Sequence, residues 1–156
     1  TTPAFTSFST GFIYAYDGVI ASLTIRSSNC PAGYLFNVRF ASTITSLEIS
    51  GSYSPTLVLK SGAITAFVGA DNCYNTTNAG TSSATDKPGI TDFDLDYRGA
   101  PNITSPLYRM IPPSSPLGLA KKDASGNPRN TGGWIDCGPL QQQYDTSYLD
   151  AMAMLQ

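Results

Sequence analysis

The first half of the chain consists largely of short runs in which apolar and polar residues alternate. Successive side chains on a β-strand point to opposite faces, so a period of two predicts strands with one buried face. One such run, residues 34–41, has aromatic or apolar residues at every second position: Tyr34, Phe36, Val38 and Phe40. Further strands are predicted over residues 43–50, 56–60 and 63–68.

The dipeptide Asp17-Gly18 separates two other apolar-rich runs, residues 12–16 and 19–25. Asp-Gly between such runs is typical of a two-residue β-hairpin turn, because both central positions of that turn need positive φ. The predicted hairpin places three aromatic residues opposite three apolar ones: Tyr16 with Val19, Tyr14 with Ala21, and Phe12 with Leu23.

The second half of the chain is less regular. Residues 70–91 are mostly polar and predict a loop, residues 92–97 alternate again and predict a strand, and residues 98–133 hold most of the prolines. A short β segment is expected within 107–111. The tail, 145–156, predicts one helix from an N-cap and an apolar stripe at helical spacing: Asp145 or Thr146, then Tyr148, Leu149, Met152 and Leu155.

Together these elements predict an all-β fold, either an antiparallel β-sandwich or a jelly-roll-like domain, with long irregular loops and a short C-terminal helix. A length of 156 residues and a hydrophobic content of 41% fit a single β-sandwich domain over 1–156. The sequence shows no internal repeat. Because the chain begins with Thr1 rather than Met, we expect a processed protein or a domain excised from a longer chain.

Charge excludes one class of partner and hydropathy another. Only 13% of the residues are charged and the net charge is −2, so there is no basic patch for nucleic-acid phosphates and no nucleic-acid partner is expected. No run approaches the ~18 to 20 consecutive apolar residues of a membrane span, so no membrane insertion is expected either.

The chain contains no histidine, which removes Ser-His-Asp and Cys-His nucleophiles and the imidazole ligands of zinc. A glycosidase needs two carboxylates, one with a raised pKa. Glu48 is the only glutamate, and it alternates with Leu47 and Ile49 as an exposed strand residue does. We therefore expect no enzymatic activity.

Three carboxylates, Asp92, Asp94 and Asp96, share one face of the predicted strand over 92–97, each ~6.5 to 7 Å from the next. Calcium takes oxygen ligands in flexible geometry, so one hypothesis is a calcium site completed by loop carbonyls. The alternative is a solvated acidic stripe that keeps a sheet edge from pairing with another molecule. Apart from that calcium, no cofactor is expected.

Three aromatic residues are candidate ligand-binding residues: Trp134, Tyr53 and Tyr74. Tyr53 and Tyr74 lie next to turn residues and are expected to be exposed, whereas Trp134 either binds a ligand or plugs the core or the end of a sheet. Rings beside hydroxyl and amide groups suit sugars as well as protein interfaces.

Cys30, Cys73 and Cys137 are disulfide candidates without metal-ligand spacing. One disulfide plus one free thiol, or three buried thiols, are the alternatives. Glycosylation sequons begin at Asn75 and Asn102.

The leading functional hypothesis is a non-catalytic structural or attachment domain on an extracellular or virion surface, such as a capsid protrusion or a filament subunit. Its partners would be copies of itself or a parent shell protein, contacted through apolar residues near both ends: Phe5, Phe8, Tyr148, Met152 and Leu155. The alternative is a carbohydrate-binding, lectin-like β-sandwich with a glycan receptor. A carboxylate-based hydrolase is a distant third hypothesis.

Overall fold

The computed structural model describes residues 13–15, 17–80, 83–115, 122–129 and 133–142. Its regular elements are seven strands, and the described residues contain no helix. The strands are β1 (Ile13–Ala15), β2 (Gly18–Arg26), β3 (Tyr34–Val38), β4 (Ser42–Ser50), β5 (Tyr53–Lys60), β6 (Ala63–Ala70) and β7 (Cys73–Thr76).

Consecutive strands alternate between two parallel sheets. The odd-numbered strands form a four-stranded sheet in the order β1-β3-β5-β7, and the even-numbered strands form a three-stranded sheet in the order β2-β4-β6. Every pair is parallel, and paired residues such as Ile44 and Ile64 or Phe36 and Val58 are 20 to 24 positions apart. The chain therefore winds in coils of two strands, which is the winding of a parallel β-solenoid.

The predicted antiparallel sandwich or jelly roll is wrong, because both sheets are parallel. The predicted hairpin is wrong for the same reason: β1 pairs with β3 and β2 with β4. Asp17 and Gly18 do adopt positive φ, 57° and 132°. Their turn carries the chain from one sheet to the other, and each strand then pairs with the next coil.

The core lies between the two sheets and is built from columns of apolar residues one coil apart. In the three-stranded sheet the columns are Ile20–Ile44–Ile64 and Leu23–Leu47–Phe67. They join one cluster with buried residues of the other sheet, including Phe36 and Val58. Removing this apolar surface from water is the main force that holds coil on coil.

A polar ladder crosses the turns that lead from the three-stranded to the four-stranded sheet. Ser52 Oγ accepts from the backbone N–H of Ser28 at 3.1 Å, and Asn72 Oδ1 accepts from the backbone N–H of Ser52 at 3.1 Å. The three residues are fully buried, at 0% exposure. Each turn thus satisfies a buried donor of the coil before it, as buried backbone groups require.

The run predicted over 34–41 ends early. Strand β3 stops at Val38, and Phe40 lies in the following turn with 84% of its surface exposed rather than on a buried face.

The predicted loop over 70–91 is also wrong in part, because it contains strand β7. Its first residues, Cys73 and Tyr74, are buried and complete the fourth row of the sheet.

Residues 92–97 form no strand, and the expected β segment at 107–111 is reduced to one bridge between Ile111 and Ile135. The irregular half instead packs a second buried cluster on the start of β5 and β7. The members of this cluster are Tyr53, Cys73, Phe93, Leu107, Met110, Ile111, Ile135 and Cys137. The predicted helix over 145–156 lies outside the described residues, and the single domain over 1–156 stays a prediction.

Candidate functional site

The expected exposure of Tyr53 and Tyr74 is wrong, since both side chains are buried, at 0% and 2%. The Tyr53 hydroxyl accepts from Asn29 Nδ2 at 2.8 Å, and its ring centroid lies 5.0 Å from that of Phe93. Burial raises the pKa of Tyr53 to about 12, against the opposing effect of the Asn29 hydrogen bond. Neither ring is accessible for stacking on a sugar.

Trp134 is half exposed, at 51%, so its ring is not buried in the core. Its neighbour Ile135 exchanges two backbone hydrogen bonds of 2.9 Å with Ile111. The backbone next to the indole is therefore held in place on its C-terminal side by these two hydrogen bonds. Of the three predicted ligand-binding aromatics, Trp134 is the one whose ring a partner can reach.

The predicted face of three carboxylates does not form. Asp94 has a positive φ of 46°, which breaks the strand. The Asp94 carboxylate accepts from Asn102 Nδ2 at 2.7 Å and from the Thr104 hydroxyl, and these two hydrogen bonds lower its pKa. Asp92 Oδ1 accepts from the Asp94 backbone N–H at 2.9 Å, as in a turn.

Asp96 is engaged separately from the other two aspartates. Its carboxylate accepts from the backbone N–H groups of Arg98 and Ala100 at 2.8 and 3.0 Å, and it pairs with the Arg98 guanidinium at 2.8 Å. Across the described ranges, no group of three or more acidic, Cys or His side chains could hold a metal ion. The calcium hypothesis and the acidic stripe both required a shared face, and each carboxylate instead closes its own turn.

All three cysteines are buried free thiols, so the disulfide alternative finds no support. Cys73 and Cys137 are 0% exposed, and the Cys137 thiol donates to the carbonyl oxygen of Asp71 at 3.4 Å. Burial raises the pKa of Cys73 from its ordinary 9.0 to about 12 and raises that of Cys137 as well. A thiol that is inaccessible and protonated is a poor nucleophile.

We expect the three thiols of the folded protein to stay unmodified by DTNB at pH 8, and all three thiols of the unfolded protein to react.

Above pH 9 the free energy of unfolding should fall, because Cys73 and Tyr53, with pKa values of about 12, bind their protons more tightly in the folded state. Each group contributes a loss of roughly 1 kcal/mol per pH unit between its unfolded and folded pKa. Urea midpoints from pH 8 to 11 measure this, and a flat profile would contradict the burial of both groups.

A buried polar scaffold organises the C-terminal segment. Arg129, only 3% exposed, donates to the carbonyl oxygens of Asp136 and Gly138 at 3.0 and 2.6 Å. The Asp136 carboxylate accepts from the backbone N–H groups of Arg109 and Gln142, both at 2.7 Å. Nothing in the local sequence singled out Arg129 or Asp136, because their partners are backbone groups brought close by the fold. These bonds hold segments together and place no reactive atom at the surface.

A shallow cleft of about 190 Å³ lies beside the turns at one end of the strands, lined by Asp17, Arg39, Phe40 and Ala41. Ligand pockets usually measure about 300 to 1,000 Å³ and enclose most of the ligand. This cleft is smaller, and Phe40 at its rim is 84% exposed. It therefore has the character of a surface depression beside an exposed aromatic side chain.

The three-stranded sheet has two edge strands. Within the described part of the chain, β2 and β6 each pair with β4 alone, so both are edge strands. The four-stranded sheet differs, because residues 87–90 cover β7: the Tyr74 N–H donates to the Lys87 carbonyl at 3.0 Å and the Ile90 N–H to the Tyr74 carbonyl at 3.1 Å. An open edge offers a row of backbone donors and acceptors to another strand.

Exposed apolar side chains accompany those edges. Val19 on β2 is 76% exposed and Val68 on β6 is 51% exposed, and they are the two large exposed hydrophobics on strands among the described residues. The outer face between them carries small side chains such as Ala21, Thr45 and Thr65, all exposed. The geometry therefore favours contact with an extended backbone over enclosure of a small molecule.

Comparison with protein-family models, with curated proteins and with solved structures finds no match for this chain. The described residues include no helix long and apolar enough to cross a membrane.

Proposed function

We propose that this chain is a non-catalytic structural or attachment domain, exposed on an extracellular or virion-surface assembly, that works by associating with copies of itself or with a parent shell. The observation that carries the proposal is that, among the described residues, β2 and β6 each pair with β4 alone. Another segment does approach the end of β6, where the Asp86 carboxylate lies 3.2 Å from the position of a Cβ atom on Gly69. Natural sheets protect exposed edges, so β2 and the earlier part of β6 favour a partner strand that covers them.

Composition and packing support the same function. A charged fraction of 13% and a net charge of −2 leave little self-repulsion to keep copies apart. The exposed Val19 and Val68 add apolar area at the edges. Among the described carboxylates, Asp94 and Asp96 close turns and Asp136 binds backbone N–H groups, so none of these three is poised as a general acid or base.

The test is the oligomeric state over a wide concentration range, measured by light scattering and sedimentation, beside a glycan array. We expect the weight-average mass to rise with concentration and the array to stay blank. A strict monomer that gives saturable glycan signals would overturn the assembly function.

A second candidate function, glycan binding, is favoured by one observation: Trp134 is half exposed beside a fixed backbone bridge. A sugar would stack on the indole face, and neighbouring polar groups would select its hydroxyls. If the array shows hits, replacing Trp134 by Ala should remove them. Replacing Tyr97, which is 96% exposed on a separate turn, by Ala is the matched control and should leave the hits intact.

A further inference from the structure

We propose that β6 of one molecule pairs in parallel with β2 of a second copy, so that the three-stranded sheet continues from molecule to molecule. This inference rests on the proposed assembly function and names the surface and the partner. It concerns the three-stranded sheet, since residues 87–90 already lie on the last strand of the other sheet.

Both edge strands lack the lysine and proline residues that usually prevent such pairing. Natural edge strands carry lysine, proline, bulges or inward-pointing charges. Ala63–Ala70 contains no charged residue and no proline. Gly18–Arg26 has one charge, at its last residue, and the Arg26 guanidinium turns back to Glu48 on β4 at 2.9 Å.

A second copy fits because the two edges match each other. They have similar lengths, nine residues in β2 and eight in β6, and both run parallel to β4. Placing β2 of the next copy beside β6 would set its Ile20 beside Ile64 and its Leu23 beside Phe67, which extends the two apolar columns that already join the coils. A second copy in parallel orientation would thus make the same apolar contacts with β6 that consecutive coils make with each other within the chain.

The pairing joins two different surfaces, so it leaves a free β2 at one end and a free β6 at the other. Such head-to-tail contacts build open filaments unless a rotation closes them into a ring. A two-fold dimer is the competing arrangement, with β6 against β6 or β2 against β2 in antiparallel orientation.

Cross-linking distinguishes these arrangements. Thr65 on β6 and Ala21 on β2 are both exposed. They occupy equivalent positions along their strands, because the register of each strand with β4 places both beside Thr45. The T65C and A21C variants are mixed and treated with a short bismaleimide, and the unmodified chain, with its buried thiols, gives the background. We expect cross-links in the T65C and A21C mixture, and none within either variant alone.

Thr45→Cys is the matched control, because Thr45 is equally exposed at that level on the central strand β4. Efficient links through T45C would show that the sheets associate face to face, and homotypic links through T65C or A21C would show a two-fold dimer; either result overturns the pairing of β6 with β2. Association of the unmodified chain without any of these links overturns the inference and leaves the proposed function standing. A monomer at all concentrations overturns both.

Charge variants supply a second measurement that needs no thiols. With Lys at both positions, A21K/T65K, like charges face each other across every junction, whereas A21K/T65E brings opposite charges together. We expect association of the Lys/Lys variant to be about fivefold weaker than that of the Lys/Glu variant. Equal association of the two variants, with melting curves that show both folded, would contradict the pairing.

Discussion

Replacing Gly62 by alanine is expected to destabilise the fold by about 2 to 3 kcal/mol, the upper part of the range for forced overpacking. Gly62 lies in the turn between β5 and β6, where that turn stacks on the one between β3 and β4. A Cβ atom there would lie 2.5 Å from the carbonyl oxygen of Ser42 and still closer to that of Arg39. Both are backbone atoms, so relief requires two coils to move apart. Urea denaturation followed by circular dichroism measures the loss.

Gly18→Ala is the matched control, because Gly18 occupies the corresponding sheet-to-sheet turn two coils earlier. Its φ is 132°, and a Cβ atom there would meet nothing within 4 Å. The control therefore carries backbone strain of about 1 kcal/mol without a collision. If Gly62→Ala proved no worse than Gly18→Ala, the stacking of the coil turns would be in error.

Local sequence was enough to place most strands of the first half. Leu47 and Ile49 are buried two positions apart in the three-stranded sheet, as the pleat of a strand requires, and such spacing predicts a strand from local sequence alone. Ile44 is buried as well, because the two consecutive exposed residues Thr45 and Ser46 shift the phase of the alternation. Pairing depends on which coil lies next to which. The columns Ile20–Ile44–Ile64 and Leu23–Leu47–Phe67 hold that information, but their spacing changes from 24 to 20 residues between coils. That irregular period conceals the repeat.

The turn at Asp17 and Gly18 explains the error in topology. Positive φ at both residues is what a tight hairpin needs, and the structure has it. The same backbone also suits a corner between two sheets, and the nearest residues do not distinguish the two. Pairing with the next coil determines which of the two structures forms, because eight residues of β2 pair in parallel with residues of β4.

The candidate site was predicted less well, because burial of aromatic and acidic residues depends on the irregular half. Tyr53 follows the turn residues Gly51 and Ser52, which suggested exposure, yet Phe93 and other residues forty or more positions away cover it. Asp94 alternates with apolar residues as a strand residue does, but in the structure its carboxylate accepts hydrogen bonds from Asn102 and Thr104 and it lies in a turn. Contacts between residues 8 to 40 or more positions apart leave no signal in the neighbouring sequence.

The last prediction concerns Asn72, the last residue of the polar ladder, whose side chain joins its own turn to Ile49 and Ser52. Replacing Asn72 by alanine is expected to destabilise the fold by about 2 to 4 kcal/mol, because two buried backbone groups lose their partner. Asn72 Nδ2 donates to the Ile49 carbonyl at 2.8 Å, and its Oδ1 accepts from the Ser52 N–H at 3.1 Å. The residue is 0% exposed, so water cannot replace either bond without opening the turn. Thermal and urea denaturation would measure the change.

Asn78→Ala is the matched control for this effect. The Asn78 side chain likewise joins a backbone N–H and a carbonyl, both of Lys60, at 2.7 and 3.1 Å, but it is exposed at the edge of the coil. Water can take over both of its bonds, so its loss should cost about 0.5 to 1 kcal/mol. A gap of at least ~1 kcal/mol between the two variants is the expected sign that burial, rather than the number of bonds, sets the contribution of the ladder. Equal losses would mean that the turn at Asn72 opens to solvent in the folded protein, and the stacked coils would then depend on their apolar columns alone.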